Sequence, residues 1–115
     1  MQPGRLSPRA AALLAGAGPG GVAIASVSFW ELAVKVRNGA LALPWPVATL
    51  AERFTQVAAV EMVPIDAALW LASVDLAWDH RDPVDRLLVA LAERRGAPLL
   101  TRDRAILDHY DGAVW

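Results

Sequence analysis

Cysteine is absent from the 115-residue chain. That excludes disulfides, thiolate metal sites and a cysteine nucleophile, and it fits a reducing compartment. Any metal has to be held by oxygen or imidazole. Lysine is almost absent as well, since of the 11 basic residues only Lys35 is not arginine. A dominant charge is lacking too: the formal net charge is -1, so attraction to nucleic acid has to come from a local patch. Although 56% of the residues are hydrophobic, the candidate apolar segments, such as 22–27 and 87–92, are short. Both fall far short of the roughly 18 residues that a spanning helix requires. Residues 1–5 carry no apolar signal segment, and the expectation is a cytoplasmic protein with no membrane partner. The glycine-rich stretch 16–21 contains no lysine and precedes a strand, which argues against a nucleotide-phosphate loop.

What is present is a regular alternation of elements in a chain long enough for one domain, taken as residues 1–115. Ser7 and Pro8 open a short helix over 9–15, and glycines break it. A continuous apolar run, 22–26, predicts a strand covered on both faces. A helix over 28–38 follows, with Ser28 as its cap and Gly39 at its end, and then one over 46–58. Residues 60–63 predict a second strand, Asp66 caps a helix to Val74, and 75–82 is a polar loop. Pro83 starts an apolar helix that ends at Arg95 before Gly96. A strand over 98–101, a helical turn or two over 103–108 and a last strand over 113–115 complete the chain. Short apolar strands alternating with helices predict an α/β fold, a parallel sheet flanked by helices. Sites in such sheets lie beyond the carboxyl ends of the strands.

Three acids stand in such places: Glu31, Asp85 and Asp103. Clustered carboxylates can hold a hard divalent cation, and without one they repel each other and their pKa values rise. Each also has a plainer reading. Glu31 lies three residues after Ser28 and four before Lys35, which matches a capping box and an ion pair. Asp82 before Pro83 is a natural N-cap, and the helix dipole favours Asp85 near the helix start. Asp85 is nevertheless followed at helical spacing by Val89 and Ala92 on a helix that is apolar nearly all round. That predicts a carboxylate facing an interior cleft. Asp103, in Thr101-Arg102-Asp103, fits either a site or a capped turn. His80 and His109 have no partner at metal-ligand spacing and are expected at the surface. Trp30, Trp45, Trp70 and Trp78 fit core packing or a partner surface better than base stacking.

Three blocks carry a family resemblance. Residues 26–35 (SVSFWELAVK), 80–88 (HRDPVDRLL) and 100–104 (LTRDR) resemble, in order and in spacing, the blocks of PIN-domain ribonuclease toxins of the VapC kind. The middle block is the most specific. The resemblance runs from Leu6 onward and implies a PIN-like three-layer fold in which Glu31, Asp85 and Asp103 bind Mg²⁺ or Mn²⁺ and serve RNA cleavage. It also implies a toxin of a type II toxin–antitoxin system, with a cognate antitoxin protein and a homodimer as partners. Arg81, Arg86, Arg102 and Arg104 are placed to contact phosphate.

The chain departs from the family at its start. Relatives open with an apolar strand ending in Asp, the central strand of the sheet, ahead of the segment that here reads Arg5-Leu6-Ser7-Pro8-Arg9. The expectation is a first strand and first carboxylate encoded upstream of Met1, with activity impaired in their absence. The alternative is a degenerate PIN domain that binds an antitoxin without cleaving RNA.

Overall fold

The computed structural model describes residues 7–17 and 21–115. The readings of residues 1–6 and of the middle of the glycine-rich turn, 18–20, lie outside them. Contacts divide the chain into two compact units, Met1–Gly16 with Asp66–Trp115, and Ala17–Ile65. Six helices and four short strands are seen among the described residues, and both strand pairs are parallel. This is the α/β alternation predicted above.

In the Ala17–Ile65 unit, β1 (Val22–Ala25) runs parallel to β2 (Val60–Val63), with Val22 opposite Val60 and Ala25 opposite Val63. The run 22–26 is covered less completely than expected: Val22 and Ile24 on one face are half-buried, and on the other Ala23 is exposed while Ala25 is buried. Helices α2 (Val27–Arg37) and α3 (Val47–Thr55) complete the unit, and the rings of Phe29 and Phe54 meet between them at 6.1 Å and 53°. Helix α2 does not begin at a Ser28 cap. Its cap position is Ser26, which has helical φ/ψ of -58° and -30° and no side-chain cap bond, and whose N–H still belongs to the sheet and donates to Val63 O at 2.9 Å. Strand passes into helix with no free cap residue between them, so the capping-box reading of Ser28 and Glu31 does not hold.

The other unit is built on caps that the sequence announces. Ser7 Oγ accepts from Ala10 N at 3.1 Å to start α1 (Pro8–Ala15), and Asp66 Oδ1 accepts from Leu69 N at 2.8 Å to start α4 (Ala67–Val74). Helix α5 (Pro83–Arg95) ends at Gly96, whose φ of 58° is the left-handed cap geometry that favours glycine. Leu69 on α4 and Leu87 and Val89 on α5 are fully buried, as is Ile106 on α6 (Arg104–His109). Each such side chain contributes about 1.5–3 kcal/mol. Strand β3 (Leu99–Leu100) pairs in parallel with β4 (Ala113–Val114), with α6 as the connection. Each of β1 and β3 pairs with one strand among the described residues. No described helix is long and apolar enough to cross a membrane.

Candidate metal centre

The start of α5 organises the acids. Asp82 is its N-cap: Oδ1 accepts from Val84 N at 2.9 Å and from Asp85 N at 3.1 Å. This leaves the other oxygen of Asp82 without a role in the cap. Asp85, one turn along, has a side chain only 14% exposed and lies 2.8 Å from His80 Nε2 through Oδ2. The carboxylates of Asp82 and Asp85 present oxygens within 4.8 Å of each other. Asp103 follows β3 and caps α6, accepting from Ala105 N at 2.9 Å, while its own N–H donates to Thr101 Oγ1 at 3.0 Å.

These neighbours act on one titrating group. Burial pushes the Asp85 carboxyl above its ordinary value, and the charges of Asp82 and Asp103 push it the same way, against the hydrogen bond from His80. An ionised Asp85 is therefore short of positive charge.

Arginine does not supply it. Arg86 directs all five of its N–H groups at backbone carbonyls. Nε donates to Ser73 O at 2.9 Å, Nη1 to His80 O at 3.0 Å and to Trp78 O, and Nη2 to Val74 O and Leu76 O, each at 3.1 Å. Ser73 and Val74 close α4, so Arg86 satisfies carbonyls that the helix end leaves without partners. With its donor capacity used up, Arg86 is a loop organiser, which corrects its assignment to phosphate. Arg81 is exposed, Arg102 stacks over the Trp115 ring at 5.4 Å, and Arg104 makes only an exposed 3.9 Å contact with Asp108. These three remain free to meet phosphate.

The histidines differ from expectation too. The Trp78 ring is sandwiched between His80 (4.6 Å, 23°) and His109 (4.4 Å, 5°). Both histidines are half-buried instead of lying free on the surface. Trp78 packs inside its own unit, whereas Trp30, Trp45 and Trp70 are exposed and do not pack in a core.

Of the three acids read from the sequence, Asp85 and Asp103 share one unit and interact. Glu31 is half-buried on α2 of the Ala17–Ile65 unit. Asp82, read only as a cap, joins the carboxylates. Its signal was present in the Asp-Pro-Val-Asp run, which places two acids within one helical turn.

Oxygen-only donors, mutual repulsion and a part-buried carboxyl suit a hard divalent cation such as Mg²⁺ or Mn²⁺ better than a soft one. The fold and site define an α/β protein with an acidic centre at the start of a buried helix. A family model, that of the PIN domain, matches residues 5–113, and the chain belongs to that family. No curated protein and no solved structure gives a significant match. PIN domains are generally nucleases, commonly metal-dependent, and bind RNA or another nucleic acid as substrate.

Proposed function

We propose that this PIN domain is a metal-dependent endoribonuclease, the toxin of a type II toxin–antitoxin pair. In this reading residues 1–115 act as one domain, and the protein works in the cytoplasm as a homodimer or bound to its antitoxin. Asp85 and Asp103, with Glu31 from α2, hold Mg²⁺ or Mn²⁺. When bound, the cation neutralises charge that builds on the phosphate and makes a water nucleophilic at neutral pH. The chain's own groups do the rest. Asp82 fixes the α5 start that carries Asp85, and Arg81, Arg102 and Arg104 hold the RNA backbone.

The observation that carries the reading is Asp85: a carboxyl largely withdrawn from water, raised by burial and by two neighbouring acids. Such an arrangement costs stability unless positive charge arrives. The resemblance of residues 80–88 and 100–104 to the toxin blocks favours RNA over DNA and the toxin role.

The test is RNA cleavage with Mn²⁺ by this chain, by a form carrying the upstream coding sequence, and by Asp85→Asn in whichever form is active. Cleavage lost in Asp85→Asn supports the nuclease. Cleavage by the extended form only supports a required upstream strand and carboxylate. No cleavage by either form, with retained capture of the antitoxin, overturns the nuclease in favour of a binding module.

A further inference from the structure

Loop 75–82 has no regular structure, yet it is fastened at several points. Arg86 binds the carbonyls of Leu76, Trp78 and His80 with one guanidinium, itself anchored on the two last carbonyls of α4. The Trp78 ring is clamped between His80 and His109, which ties the loop to α6, the helix that Asp103 caps. Fastened in this way, the loop holds His80 Nε2 2.8 Å from Asp85 Oδ2. An ionised carboxylate only accepts, so Nε2 carries the hydrogen there. That leaves Oδ1 of Asp85 unengaged by His80.

We infer that His80 is a positioning residue: held by the Trp78–His109 stack and by Arg86, it fixes the Asp85 carboxylate with Oδ2 occupied and Oδ1 presented. The inference rests on the reading that Asp85 holds a divalent cation. Hydrogen bonds to the far side of a ligand group commonly set its orientation, and losing one lowers metal affinity about 10–100-fold.

Two substitutions separate the hydrogen bond from the packing. His80→Phe keeps a ring against Trp78 and removes the donor, while His80→Gln gives up the ring and keeps an N–H able to reach the carboxylate. With Mn²⁺ alone as the probe, calorimetry on the full chain should show affinity falling about 10–100-fold in His80→Phe and staying within a few-fold of wild type in His80→Gln. Thermal unfolding should show both variants fully folded at the temperature of the titration, with His80→Phe somewhat less stable than wild type because Asp85 has lost its donor. Unchanged affinity in His80→Phe, or equal loss in both variants, overturns the inference while the cation reading stands, provided Asp85→Asn abolishes binding. Absence of Mn²⁺ binding by wild type and Asp85→Asn alike overturns both.

Discussion

His80 Nε2 lies 2.8 Å from Asp85 Oδ2, and this is the one interaction of its kind that favours the ionised form of a carboxyl pushed the other way by burial and by Asp82 and Asp103.

Ionised Asp85 destabilises the metal-free protein. Its folded pKa is raised above the ordinary 3.8, so its contribution to stability is fully present below 3.8 and is lost as pH rises through the folded value. Asp85→Asn removes the penalty, and the amide oxygen still accepts from His80. In EDTA at pH 7 the variant should melt a few degrees above wild type, and the gap should close as the pH falls below 4. Saturating Mn²⁺ should reverse the order, because ligand present at about 100 times its Kd adds about 2.7 kcal/mol to wild type. A variant that melts below wild type in EDTA would refute the electrostatic account.

Asp103 has two roles that one substitution can separate. Asparagine caps helices about as well as aspartate, so Asp103→Asn should leave urea stability within about 0.5 kcal/mol of wild type. Mn²⁺ affinity should nevertheless drop at least tenfold. Unaltered affinity would reduce Asp103 to a cap.

Arg86→Lys should behave as a disruptive change despite its retained charge. An ammonium has three donors at one point and cannot span five carbonyls. Leaving a buried carbonyl unpaired costs about 1–3 kcal/mol, and these carbonyls are part-buried or, at Val74, exposed, so a total loss of about 2–4 kcal/mol in urea unfolding is expected, together with weaker Mn²⁺ binding through His80. Stability equal to wild type would show that the guanidinium contacts are dispensable.

Leu87, fully buried one turn beyond Pro83, calibrates the packing under the site. Leu87→Ala should cost about 2–5 kcal/mol in urea unfolding. Mn²⁺ affinity should be unchanged at temperatures where the variant is folded.

Local chemistry was legible wherever it was sufficient. Ser7, Asp66 and Asp82 cap helices as their positions before Pro8, Ala67 and Pro83 suggest, and Gly96 ends α5. These signals work because a cap is a contact over two or three residues. Ser28 failed as a cap for a tertiary reason: the preceding residues pair with β2 up to Ser26, so the sheet decides where α2 starts. The carboxylates Asp85 and Asp103 stand out in the sequence through their relation to helix and strand ends. Asp82 reads locally as a cap, and it is one, but its carboxylate also lies close to that of Asp85.

By itself the sequence determined the α/β class, most helix boundaries and the acids to suspect, because hydrophobic period, proline and glycine act over a single turn. Only the tertiary structure decided what Arg86, Trp78, His80 and His109 do. The five carbonyls of Arg86 lie 6–13 positions from it, and His109 lies 31 positions from Trp78. Contacts across an irregular loop obey no period, and they form only once α4, α5 and α6 have packed around it.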